Sequence, residues 1–139
     1  MINRVTLQEL ERIRTIRADM ERNDEAIERL RSQMERVTQL FTGMPHGDGD
    51  NDLLAAQVDR LHRLQIQREI MHIDLEMALI SAETWIASLP EQQRKVMYAY
   101  YIGAASDWKH VARQVMYSYK HTMRIRDAAL AKLDQKKSL

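Results

Sequence analysis

The sequence predicts an all-α protein: a long antiparallel helical hairpin of coiled-coil type over residues 1–88, then a helix-turn-helix domain over residues 89–139. Three observations carry this. Only four Gly and two Pro occur in 139 residues, so few positions force a helix to stop. Apolar residues recur in alternating steps of three and four along 13–41 and again along 61–89. Positive charge gathers at one end. Residues 1–42 hold eight Arg and eight acidic residues and are neutral, residues 43–90 hold three Arg against eight acidic residues, net −5, and residues 91–139 hold ten Lys or Arg against four acidic residues, net +6.

The first helix opens at Val5-Thr6-Leu7-Gln8-Glu9-Leu10. Thr6 and Glu9 have capping-box spacing, and Val5 with Leu10 have the spacing of a hydrophobic staple. No Gly or Pro follows before Gly43. Ile13, Ile16, Met20, Ile27, Leu30, Met34, Val37 and Phe41 then form a heptad seam with Asn23 in its one polar slot. A buried Asn in such a seam sets register. A helix of ~35 residues spans ~50 Å at 1.5 Å per residue. Its apolar stripe is too narrow for a compact core, so it needs a partner helix.

Residues 43–52, GMPHGDGDND, read as an acidic loop, with a helix cap at Asp50, Asn51 or Asp52. Asp48, Asp50 and Asp52 resemble the start of a calcium loop. However, Leu53 stands where a Gly is needed and Asp59 where a bidentate Glu is needed, so no metal site is assigned.

The second helix is expected from about Leu53 to Ser88, with two apolar stripes. One is Leu61, Leu64, Met71, Leu75, Ala78, Ala82, Trp85 and Leu89, interrupted by Arg68. The other is Ile66, Ile70, Ile73, Met77 and Ile80, about 200° away at 100° per residue. A helix apolar on two faces is buried on two faces. The first helix covers one stripe. The other is left for the C-terminal module, a second subunit or a partner protein, and a homodimer through the long helices is expected there. His62, Arg68 and His72 read as solvated or rim residues.

In the last third, Asp107 caps a helix from Trp108 to about Val115, Tyr117 and Ser118 make a tight turn, and Ser118 caps a second helix to about Lys132. Ala112 supplies a small side chain where the helices approach. Val111, Val115, Tyr117, Thr122 and Ile125 fall where the two pack together. Met116 stands where a glycine takes the left-handed conformation more cheaply, and it fits if the turn needs no positive φ there. The plainer alternative is an ordinary helical hairpin.

On a helical wheel, Thr122, Ile125, Ala129, Leu130 and Leu133 of the second helix face inward. Lys120, Arg124, Asp127 and Ala131 face outward, with Tyr119, His121 and Met123 at the margins. A helix-turn-helix places the first residues of its second helix against base edges in the major groove. Arg124 suits bidentate contact with guanine, and Lys120 suits phosphate or guanine. Tyr119 and His121 can meet bases or backbone, while Lys109, Arg113 and Arg94 flank the groove and suit phosphates. For each of these residues the alternative is a solvated basic face. Arg126 is expected to pack its stem inward, and Lys136 and Lys137 to fray and supply charge. The stretch from about Glu83 onward is expected to bind duplex DNA weakly by itself.

Leu89, Pro90, Glu91, Arg94, Val96 and Tyr101, then Ala112 and Ser118, then Ala129, Leu130, Lys132 and Leu133, form an ordered set over about 45 residues. The set resembles the fourth conserved region of sigma-70 type transcription factors. Tyr117, Ser118 and His121 resemble the turn of phage late-transcription regulators of the ArpU/RinA type. The resemblance implies a phage-encoded, sequence-specific DNA-binding transcriptional regulator that acts with RNA polymerase on double-stranded DNA. The chain departs from the sigma pattern at Met116-Tyr117-Ser118 and His121-Thr122, where sigma readers carry Gly-Ile-Ser and Thr-Val. That departure bears on promoter-element recognition rather than on the fold.

Two other function classes stay open: a protein-interaction module that binds a polymerase subunit or regulator, and a small-terminase-like subunit of phage DNA packaging. No enzyme is expected. The chain has no Gly-rich phosphate loop, no nucleophile elbow, no His-Glu-x-x-His and no Cys, and His46, His62, His72, His110 and His121 are scattered without ligand spacing. No cofactor or metal is assigned. The absence of Cys fits a reducing cytoplasm. No apolar run approaches the ~18 residues of a membrane span. Charges crowd residues 4–14 in place of a signal peptide's apolar stretch, so a cytoplasmic location without membrane contact is expected.

Overall fold

The computed structural model describes the backbone of residues 5–41 and 48–137, with side chains for 5–40 and 52–133. The described residues form five α-helices and no strand: α1 (Leu7–Phe41), α2 (Asp48–Ala87), α3 (Glu91–Met97), α4 (Trp108–Val115) and α5 (Tyr119–Lys137). A π-helical turn, Tyr98–Ile102, prolongs α3. Among the described residues, no helix is long and apolar enough to cross a membrane.

Local chemistry sets most of these bounds. At the start of α1 the Glu9 amide donates to Thr6 Oγ1 at 3.1 Å, and Val5 and Leu10 are both buried, so cap and staple act together. At the start of α2 the expected bounds need correction. The helix begins at Asp48, five residues before Leu53, so Asp50, Asn51 and Asp52 lie inside it rather than capping it. A glycine there, Gly49, costs about 1 kcal/mol at most. The rest of the expected loop, His46 included, lies outside the described residues. α5 also runs further than expected, to Lys137 rather than about Lys132. Its last turns are built from good helix formers without Gly or Pro, so Lys136 and Lys137, expected to fray, are helical.

The chain packs as two compact units that do not follow chain order: Arg17–Asp74, and Met1–Ile16 together with Leu75–Leu139. Within Arg17–Asp74, α1 and α2 run antiparallel along the expected seam. Buried Asn23 donates from Nδ2 to the Leu64 carbonyl at 3.0 Å, and Arg68 Nε donates to Asp24 Oδ1 at 2.7 Å. Ile27 and Leu30 are buried, while Met20, Met34 and Val37 of α1 and Leu61, Leu64 and Met71 of α2 are half-buried.

The other unit has one continuous core. α1 contributes Leu10 and Ile13, and α2 contributes Ala82, Trp85 and Ile86. Val96 and Met97 come from α3, Tyr101 from the π-helical turn, Val111 from α4, and Ile125, Ala129 and Leu133 from α5. Each of the larger side chains among these stabilises the fold by roughly 1.5–3 kcal/mol through burial, and each alanine by less. α3, α4 and α5 therefore do not close a core alone. A fragment from Glu83 onward would lack the Leu10 and Ile13 side chains of that core.

The second stripe of α2 is left open. Ile66, Ile70, Ile73, Met77 and Ile80 are each between 55% and 65% exposed.

Candidate nucleic-acid interface

The basic end is organised around the α4–α5 connection. Asp107 is extended (φ −154°), and its Oδ1 accepts from the His110 amide at 2.8 Å, which caps α4. At the other end the Met116 amide donates to the Arg113 carbonyl at 3.3 Å and the Tyr117 amide to the Ala112 carbonyl at 3.0 Å. This pair of bonds is the Schellman closure, and it requires a left-handed residue between helix and exit. Met116 takes that role with φ 62° and ψ 39°. The condition under which Met116 would fit without strain, a turn that needs no positive φ there, is not met: the hydrogen-bond pattern demands one, at about 1–2 kcal/mol for a residue with a Cβ. The Met116 side chain is 88% exposed, so little packing offsets that cost.

Ser118 opens α5. Its Oγ accepts from the His121 amide at 3.1 Å, and its carbonyl accepts from both the amide and the hydroxyl of Thr122, each at 2.9 Å. The fully buried Thr122 hydroxyl is thereby satisfied. Ala112, Val111, Ile125, Ala129 and Leu133 are buried, and Val115, Tyr117 and Leu130 pack half-buried against the core.

The chain that leads into α4 is held from α1. Arg14 Nη1 donates to the Ala105 carbonyl at 2.9 Å and the Tyr100 carbonyl at 3.3 Å, and Nη2 donates to the Ser106 carbonyl at 3.1 Å. The same guanidinium lies 4.0 Å from the centre of the Tyr100 ring. Tyr100 stacks on Trp108 with ring centres 3.8 Å apart and planes 10° from parallel, and the Arg126 guanidinium lies 5.4 Å from the Trp108 ring. A column of two stacked rings with a cation at each end therefore ties α1, the π-helical turn, α4 and α5 together. Beside it the Tyr101 hydroxyl donates to Glu11 Oε1 at 3.2 Å. Burial first, then the Glu11 charge and hydrogen bond, push the Tyr101 phenol above its ordinary range, so it stays neutral. Ala104 also has positive φ (56°). Gly103 is needed for another reason: a Cβ there would meet the Ala99 carbonyl oxygen at 3.0 Å.

Tyr119, Lys120, His121 and Arg124 are all exposed on the first two turns of α5. Lys120 and Arg124 are one turn apart on one face, with Asp127 on the next turn. Arg126 donates from Nε and Nη2 to Asp127 Oδ1 at 3.0 and 2.7 Å, so the acid on that face is already countered. His121 packs its ring edge-on to Tyr117 at 5.1 Å. Lys109 and Arg113 are exposed one turn apart on α4, and Arg94 is exposed on α3, which forms neither side of the turn. Arg126 packs its stem as expected and is half-buried. Arg14 and the Tyr100–Trp108 stack escaped the sequence reading. Nothing in the pattern separates Arg14 from the other six Arg of α1. No family model, curated protein or solved structure matches the chain.

Proposed function

We propose that the chain is a sequence-specific reader of double-stranded DNA that regulates transcription beside RNA polymerase, with α4, Met116–Ser118 and α5 as its helix-turn-helix. The observation that carries this is a two-helix unit, capped at both helix starts and closed by a Schellman turn, whose outward face presents Lys120 and Arg124 early in α5 within a segment of net charge +6. The polymerase association rests on the resemblance to sigma region four.

In this reading α5 lies in the major groove. The Arg124 fork meets guanine O6 and N7, Lys120 meets guanine or phosphate, and Tyr119 and His121 meet bases or backbone near the helix start. Lys109, Arg113 and Arg94 meet phosphates and set orientation. The Arg14–Tyr100–Trp108–Arg126 column holds α4 and α5 in a fixed relation, so little ordering is left for the moment of binding.

Selection of bound sequences from random duplex DNA with the full chain tests the reading. Affinity should fall with salt, each neutralised phosphate adding about −0.9 to the slope of log affinity against log salt. Arg124→Ala should cost roughly 1–3 kcal/mol on the selected site and relax one base position. Lys109→Ala should weaken all sequences equally. No binding at low salt, or identical behaviour of the two variants on selected and random DNA, would overturn the assignment.

A further inference from the structure

Among the described residues the outward face of α5 carries one acid, and its surroundings give it a task. Lys120, Arg124 and Asp127 stand on consecutive turns of that face, at i, i+4 and i+7. All three are exposed. Asp127 lies three residues after Arg124, a spacing at which helix side chains meet. It is nevertheless bonded to Arg126, whose Nε and Nη2 both donate to Oδ1, at 3.0 and 2.7 Å. Among the described residues Arg124 makes no ion pair, and Asp127 Oδ2 has no partner. Arg126 is in turn held against the Trp108 ring, 5.4 Å from its guanidinium, and Trp108 stacks on Tyr100. The second oxygen of Asp127 is thus the exposed end of a chain of contacts rooted in α4 and the π-helical turn.

An unpaired carboxylate is a poor neighbour for phosphate. Paired with Arg126, Asp127 adds no net charge to the face, and its second oxygen still accepts a hydrogen bond. In a major groove the complementary group is the N4 amino group of cytosine. Thymine in its place offers an O4 acceptor and a methyl group, and adenine sets its amino group beside the N7 acceptor. We propose that Asp127 is a second base reader, which selects cytosine, and that Arg126 is its positioning residue. The proposal rests on the reading of α5 as the recognition helix. Arg124 and Asp127 are ~4.5 Å apart along the axis at 1.5 Å per residue, against a rise of about 3.4 Å per base pair. The cytosine therefore falls one or two base pairs from the guanine that Arg124 meets.

The test is selection from random duplex DNA with the full chain, as wild type and as the variants Asp127→Ala, Asp127→Asn and Arg126→Lys, followed by titration of the selected site and of its cytosine-to-thymine counterpart. Wild type should select a guanine that Arg124→Ala relaxes and, one or two positions away, a cytosine favoured over thymine by about tenfold. Asp127→Ala should keep the guanine and reduce the cytosine preference to about twofold or less. Asp127→Asn, whose amide both donates and accepts, should take cytosine and thymine about equally. Arg126→Lys keeps the charge but not the two-nitrogen fork, and should narrow the cytosine preference without touching the guanine. The ratio between the two sites is read, because removal of an acid raises affinity for any DNA. Unchanged helicity and melting show that the fold persists. An Arg126→Lys variant that melts lower and weakens both sites alike would reduce Arg126 to a structural role and overturn its positioning one. A wild type that selects no sequence overturns the DNA-reading assignment and this proposal with it. A guanine that answers to Arg124, with no cytosine lost in Asp127→Ala, overturns this proposal alone.

Discussion

The two compact units are built partly from the same two helices and bury their apolar residues to different extents. In the unit that contains the helix ends and the C-terminal helices, Leu10, Ile13, Trp85, Ile86, Tyr101 and Val111 close a core from several directions. In Arg17–Asp74 the same helices bury a single thin seam around Asn23, Ile27 and Leu30, while Leu53, Leu54, Val58, Ile66, Ile70 and Ile73 stay exposed. The difference lies in neighbours, not in composition. An isoleucine contributes to stability when other elements remove it from water, and two helices offer only one shared face. Local opening free energies should differ accordingly, high in the enclosed core and lower along the seam.

That contrast can be broken by substitution. Leu10→Ala should destabilise the full chain by about 2–5 kcal/mol in urea unfolding, the range for removing a large core side chain. Ile70→Ala should stay within about 0.5 kcal/mol, as for an exposed site. Equal effects would show that α2's open stripe is as enclosed as the core.

Arg14→Ala should come next. It removes three side-chain hydrogen bonds to the backbone carbonyls of Tyr100, Ala105 and Ser106, at roughly 1–3 kcal/mol for a charged group with partly exposed bonds. Amide exchange should rise around 103–108 more than in Arg17–Asp74. A uniform rise along the chain would deny Arg14 its local role.

Asn23→Leu sharpens the description of the seam. An apolar residue there should raise the stability of the Arg17–Asp74 pairing by about 1 kcal/mol while loosening register, since a buried Asn trades stability for specificity. Doubled amide resonances near Leu64 would report the second register. A single sharp set would mean that Asp24–Arg68 and the hydrophobic steps suffice.

The smallest effect belongs to Met116→Gly. It relieves a left-handed residue but frees the unfolded chain, for a net gain of about 0.5–1 kcal/mol in thermal unfolding. A loss would mean that the exposed Met116 side chain makes contacts that outweigh its backbone strain.

Helix starts were legible because capping is local. Thr6 and Glu9, Asp107 and His110, and Ser118 and His121 each sit three residues apart, within reach of one turn. The seam with its Asn and the inward face of α5 were legible because a helix converts sequence spacing into direction. Exposure of Lys120, Arg124, Lys109 and Arg113 followed from the same rule. The early start of α2 was not legible, because Gly and Asp mark loops and helix first turns alike.

By itself, then, the sequence determined which segments are helical, which face of each is apolar, and where the charge lies, since these depend on neighbours within a turn or two. Tertiary structure decided the rest. It placed Leu10 and Ile13 in one core with Val96 and Val111, contacts that span most of the chain and leave no local trace. It set Arg14 against carbonyls some 90 residues away and stacked Tyr100 on Trp108. It also forced Met116 left-handed, because the close of α4 onto α5 needs two backbone bonds that no right-handed residue at that point can make.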